Sequence, residues 1–73
     1  MLDTNTTINL TINGEVQSFS TPIALPDVLN KMNLNPRLIA IEYNGEILHR
    51  QYWQDRLMQE GDRLEIVTIV GGG

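Results

Sequence analysis

Hydrophobic and polar residues alternate where the pattern of the chain begins. Ile8, Leu10 and Ile12 are separated by Asn9 and Thr11, a period of two that predicts a half-buried strand with one inner face. Asn13-Gly14 follows, the dipeptide that best tolerates the positive φ angles of a tight hairpin turn. The return strand over residues 15–19 is less regular. Val16 and Phe19 differ in parity, so both can face inward only if the strand bends or bulges. Ser20-Thr21-Pro22 closes the hairpin.

The period then changes. Leu25, Val28, Leu29 and Met32 fall at i, i+3, i+4 and i+7, one apolar stripe of a helix, with Asp27, Asn30 and Lys31 on the other side. Pro26 suits the first helical turn, where its missing N–H would be unpaired in any case, and Asp27 suits the positive end of the dipole. Leu25 would then be the N-cap, a poor residue for that position. Residues 33–36 end the helix, because the residue before Pro36 is pushed out of the α region.

Residues 38–43 are apolar on both parities until Glu42, as expected of a strand well inside a sheet. Asn44-Gly45 is a second hairpin signal before a short strand over residues 46–48. Residues 49–58 are too irregular for a long helix. Their Tyr52, Trp53, Leu57 and Met58 are read as bulky groups on short turns that plug one end of the core, and Trp53 as a core plug rather than a binding aromatic. Glu60-Gly61-Asp62 is a tight turn, and residues 63–69 form the final strand. One helix covers one face of such a sheet and leaves the other in water, which accounts for the polar Thr7, Asn9 and Thr11. The expected fold is an α+β roll. Its strand order does not follow from the pattern.

Composition narrows the chemistry. The chain has 73 residues, enough for a single small domain, 1–73, with residues 1–6 expected to be frayed and residues 70–73 a flexible tail. It has no cysteine and one histidine, which excludes a thiolate zinc site and a histidine cluster; His49 is a surface turn residue. Nine acids against five bases give a formal charge of −4, which argues against nucleic acid or an anionic membrane as the main partner. There is no apolar run of transmembrane length, and the first residues lack the regions of a signal peptide, so a cytoplasmic monomer is expected.

The most unusual stretch is Val70-Gly71-Gly72-Gly73, directly after the apolar run over residues 64–69. Three final glycines cannot reverse a chain that does not continue, and the alternating run before them makes a helix cap unsuitable. Alone, they would also suit an inert flexible end. What they offer is a main chain without side chains, able to enter a narrow cleft with a carboxylate at its tip.

The element order, with a strand leading into terminal glycines, resembles the ubiquitin-like β-grasp fold, and within it the ThiS branch of the ThiS/MoaD family of sulfur carriers. The resemblance runs from about residue 8 to residue 73. It rests on Ala40-Ile41-Glu42-Tyr43-Asn44-Gly45-Glu46-Ile47, on the segment from Arg50 to Trp53, and on Glu60-Gly61-Asp62-Arg63-Leu64-Glu65-Ile66-Val67 leading to the tail. His49 stands where the family usually has proline.

The resemblance implies a mixed sheet with one helix on one face, and a protein that carries sulfur in thiamine (thiazole) biosynthesis rather than an enzyme. An E1-like adenylyltransferase (ThiF-type), using ATP and Mg²⁺, would adenylate the Gly73 carboxylate. A persulfide donor, a cysteine desulfurase or similar, would supply sulfur to give a thiocarboxylate. Thiazole synthase (ThiG-type) would take that sulfur, and the carrier itself would bind no cofactor and no metal. A free α-carboxyl titrates near ~3.5 and is a poor electrophile as an anion; joined to AMP it gains a leaving group that a sulfur nucleophile can displace. Glycine at the last position leaves that carbonyl unhindered. Val70, Gly71 and Gly72 would thread the partner's cleft, and from Thr68 to Gly73 an extended tail spans roughly 20 Å. If Leu64 and Ile66 face the helix, alternation sends Val67 and Ile69 outward as a docking patch for the activating enzyme. The carrier for molybdopterin synthesis shares fold and tail, with residues 44–53 favouring ThiS. A ubiquitin-like modifier joined through Gly73 to lysines, and an inert binding module, are the other readings.

Overall fold

The alternation at Ile8, Leu10 and Ile12 becomes β1 (Thr7–Ile12), with all three apolar side chains buried. The computed structural model describes residues 6–69, so residues 1–5 and the tail over 70–73 lie outside the described residues. Asn13 (φ 51°) and Gly14 (φ 85°) take the left-handed conformations of a two-residue hairpin turn into β2 (Glu15–Ser20). The register runs without a break from Ile12 opposite Glu15 to Thr7 opposite Ser20. No bulge reconciles the parities of Val16 and Phe19. Phe19 is buried, and Val16 is left 68% exposed on the opposite face.

The helical stripe becomes α1 (Leu25–Lys31), with Leu25, Val28 and Leu29 buried. Its N-cap is Ala24, not Leu25, and no side chain caps it. Tertiary contacts anchor the start instead: Ala24 bridges to Leu57, and the Leu25 N–H donates to the Arg56 carbonyl at 2.8 Å. This arrangement lets Leu25, fully buried, serve the core as the first helical residue. The helix also stops before the proline acts. Asn33 adopts φ 60°, its N–H donates to the Asn30 carbonyl, and the Leu34 N–H donates to the Leu29 carbonyl. That bond pair is a Schellman ending, in which a left-handed residue satisfies two otherwise unpaired helical carbonyls. Pro36 instead opens a 3₁₀ turn (Pro36–Leu38).

β3 (Ile39–Tyr43), a turn at Asn44 (φ 50°) and Gly45 (φ 91°), and the two-residue β4 (Glu46–Ile47) form the second hairpin. A second 3₁₀ turn (Arg50–Tyr52) leads to buried Trp53, whose Nε1 donates to the Leu48 carbonyl at 2.8 Å. Trp53 and Met58 do plug the core, but Tyr52 and Leu57 are more than half exposed. The Met58 N–H donates to the Ile23 carbonyl, holding this extended segment beside residues 23–25 so that its side chains alternate: Met58 inward, Leu57 outward.

β5 (Arg63–Thr68) completes the sheet, in the order β2-β1-β5-β3-β4. It runs antiparallel to β3 over five residue pairs and parallel to β1 over two. The last strand in sequence is thus the central one in space. Its Leu64 and Ile66 join Leu10, Ile12, Leu25, Val28, Leu29 and Ile41 in one core between sheet and helix.

Candidate functional site

β5 carries the candidate site because residues 70–73 follow it directly. Its conformation is set by alternation and held from both ends. Leu64 and Ile66 point into the core, so Val67 (59% exposed) and Ile69 (45% exposed) lie on the face that α1 does not cover. The structure therefore places both predicted patch residues outside the core. Val70, Gly71, Gly72 and Gly73, the predicted threading and modified residues, lie outside the described residues.

Val67 is not isolated. Its partner across the ladder is Ala40, and two pairs further along, on the same face, Glu65 stands opposite Glu42, which in turn faces Ile47 of β4. Ile47, Ala40 and Val67 line a hollow of about 400 Å³ on this open face, with Glu42 and Glu65 at its edge. Ile47 is 67% exposed and was missed by sequence reasoning. Its signal was present: a two-residue turn at Asn44-Gly45 forces Glu42 opposite Ile47, so an outward Glu42 puts Ile47 outward too. The facing carboxylates of Glu42 and Glu65 repel, a cross-strand pairing that costs stability and that a basic partner group would relieve.

The turn before β5 is tied down by one buried acid. Asp62 is 7% exposed. Its Oδ2 accepts from the Tyr43 hydroxyl and the Gln59 N–H, both at 2.8 Å, and its Oδ1 accepts from Asn44 Nδ2 at 3.2 Å. Asn44 Oδ1 accepts from the Arg63 N–H at 2.8 Å. Burial, and then the hydrogen bond and charge of Asp62, push the Tyr43 hydroxyl pKa above its ordinary value, while the Arg56 guanidinium stacked 5.1 Å from the ring pulls the other way. This network is structural: it joins the second hairpin to the start of β5. Sequence reasoning saw in Asp62 only a turn residue.

Among the described residues, no group of three or more His, Cys, Asp or Glu side chains is placed to hold a metal ion, and no helix is long and apolar enough to cross a membrane. His49 is exposed at the start of the second 3₁₀ turn. On the helix side, a hollow of about 500 Å³ lies between α1 and that turn, with Arg50 stacked over Trp53 at 5.4 Å. Arg50 is its one charged lining residue, so the hollow assembles no acid–base pair.

The site can therefore present an apolar, acid-rimmed surface beside the root of the tail. The sequence model of the ThiS family matches residues 5–73. The chain is 40% identical over 62 residues to the uncharacterized protein ycf40 of Trieres chinensis, covering 85% of each chain. It is 39% identical over 69 residues to ycf40 of Porphyra purpurea, covering 94% of this chain and 97% of that one. It is also 35% identical over 66 residues to a thiazole synthase of Paramagnetospirillum magneticum, covering 90% of this chain but 20% of the synthase. Among solved structures, the crystal structure of the thiamine biosynthesis protein ThiS from Geobacter metallireducens superposes with a TM-score of 0.76 at 26% identity, covering 90% of this chain and all of that one.

Proposed function

The chain belongs to the ThiS family, with the β-grasp fold of that family, and we propose that it carries sulfur for thiazole formation on the carboxyl group of Gly73. The observation that carries this reading is the family match, which runs through residue 73 and so includes the terminal glycines. In the proposed route an E1-like enzyme with ATP and Mg²⁺ joins the Gly73 carboxylate to AMP and releases pyrophosphate. The outer sulfur of a persulfide attacks the activated carbonyl and expels AMP, leaving an acyl persulfide. A thiol then attacks the inner sulfur, leaves with it as a disulfide and frees the thiocarboxylate. Thiazole synthase is the acceptor. A segment similar to this chain is built into the polypeptide of the Paramagnetospirillum magneticum thiazole synthase, which supports that partnership.

In this reading the chain supplies an electrophile and a docking surface, and its partners supply catalysis. Val70, Gly71 and Gly72 thread the partner's cleft; Val67 and Ile69, together with Ala40 and Ile47, dock on it. Glu42 and Glu65 favour a partner whose apolar contact is bordered by basic groups, because such groups relieve their mutual repulsion.

The test is the intact mass of the protein taken gently from its own cells, with the peptide containing Gly73 fragmented. The expected result is a species in which one oxygen on Gly73 is replaced by sulfur. Unmodified protein after incubation with ATP, Mg²⁺, the E1-like enzyme and a persulfide donor would overturn the proposal. Lysine conjugates in extract would indicate a protein modifier instead. Removing Gly72 and Gly73 is expected to abolish thiocarboxylate formation.

A further inference from the structure

Asn13 closes the first hairpin, yet its side chain reaches across to another strand. Its Oδ1 accepts from the Ile66 N–H at 2.7 Å and its Nδ2 donates to the Ile66 carbonyl at 3.1 Å. Its backbone N–H donates to the Leu64 carbonyl at 2.9 Å.

The hydrogen-bonding parity of β5 explains the contact. The Asn44 N–H donates to the Arg63 carbonyl and the Ile69 N–H to the Leu38 carbonyl, so the peptide groups of odd-numbered β5 residues face β3. Those of Leu64, Ile66 and Thr68 face the β1 side. β1 pairs with β5 only at Thr11 with Arg63 and Ile12 with Leu64, and the chain then turns away at Asn13. A carboxamide carries a donor and an acceptor much as a peptide group does. The Asn13 side chain thus stands in at Ile66 for the residue that β1 does not have. Among the described residues, no group does the same for Thr68. Among the described residues, Ile66 is the last residue of β5 gripped on the β1 edge, four positions before residue 70.

We propose that Asn13 is a positioning residue for the carrier reaction, its carboxamide fixing the point from which residues 70–73 are presented to the activating enzyme. This rests on the proposed carrier function. Without the carboxamide, β5 beyond Leu64 is held by β3 alone, and its end samples conformations that the partner must freeze on binding. The cost falls on capture of the carrier and not on the chemical steps, because Asn13 touches no reacting atom.

The test compares wild type with Asn13→Gly, which removes the carboxamide while tolerating the left-handed turn. Phe19→Leu is the control, loosening the buried side of β2 without touching β5. Pyrophosphate release by the E1-like enzyme with ATP and Mg²⁺ is followed against carrier concentration, and amide exchange is measured at Ile66. For Asn13→Gly, KM is expected to rise about 3- to 10-fold, the size of one or two hydrogen bonds, with kcat within about two-fold. Exchange at Ile66 is expected to quicken. Phe19→Leu should lower stability and leave KM unchanged. An unchanged KM in Asn13→Gly overturns the positioning role, and so does an equal rise in Phe19→Leu, which would mark a general stability effect. Should Asn13→Gly fail to fold, Asn13→Asp replaces it; that variant keeps the acceptor but sets a carboxylate oxygen against the Ile66 carbonyl, with the same expected rise. If even the wild-type chain releases no pyrophosphate, the carrier function itself falls. Unchanged exchange at Ile66 would then separately refute the clamp.

Discussion

The two ends of β5 are held in different ways, although each is served by an Asn-Gly hairpin turn. At the start, Asn44 bonds to Arg63 and Asp62, Asp62 bonds to Tyr43 and Gln59, and the Thr11 N–H donates to the Asp62 carbonyl at 3.0 Å. At the far end, one carboxamide grips the β1 edge at Ile66, and the β3 ladder through Val67 opposite Ala40, continued by the bond from the Ile69 N–H to the Leu38 carbonyl, holds the other. The start is overdetermined, with a buried acid at its centre. The far end is secured by just enough to give the chain a direction. A strand built this way sets a direction at Ile66 and Ile69, which suits the proposed entry of residues 70–73 into a partner's cleft.

Breaking the start should have the largest effect on stability. Asp62→Ala removes three accepted hydrogen bonds and leaves part-buried donors unmatched, so unfolding free energy should fall by about 2–4 kcal/mol in chemical denaturation. A loss below about 1 kcal/mol would show that solvent satisfies those donors and that the hub is dispensable. Next in size is the open face. Val67→Asp should weaken binding to the activating enzyme at least about ten-fold, roughly 1.4 kcal/mol, while stability moves by less than about 0.5 kcal/mol, because Val67 is 59% exposed. Unaltered affinity would remove Val67 from the docking surface.

Asn44→Gly sharpens the contrast between the two turns. It should cost about 1 kcal/mol of stability and leave the carrier's KM unaffected, the reverse of the balance expected for Asn13→Gly. The smallest effect concerns pH. The Tyr43 pKa is raised in the fold, chiefly by burial and then by Asp62, so the folded state holds its proton more tightly than the unfolded chain. That contribution is complete below the unfolded value of about 10 and is lost as pH rises through the folded value. Tyr43→Phe should flatten the decline of stability above about pH 10; an identical decline in both proteins would assign it to other groups.

Most of the fold was legible because its signals are local. Period-two alternation, two Asn-Gly turns and one helical stripe each act within a few residues, and the elements appear where those signals stand. Two misreadings, the helix start and the plug residues, arose where a distant segment intervened. The helix starts at Leu25 because Arg56 and Leu57 supply what a capping side chain would. Its end before residues 33–36 was legible, but the cause is Asn33 turning left-handed with Leu34 following it onto the core, not Pro36. Tyr52 and Leu57 are apolar in type but exposed, because backbone bonding from Met58 to Ile23 fixes which side chains of that segment point inward. Within the candidate site, Val67 and Ile69 followed from alternation along one strand. Ile47 required the pairing of β4 with β3 as well.

By itself, the sequence determined the strands and the helix, the side of β5 that is buried, and the glycines beyond it, because each depends on spacing along the chain and on the conformational freedom of single residues. Tertiary structure alone decided that β5 is central, that Asp62 gathers three donors from two segments, and that the Asn13 side chain completes an edge that β1 leaves open. These contacts join residues as many as 53 positions apart. Hydrogen bonds at such separations form only when the whole sheet has closed, so no local pattern encodes them.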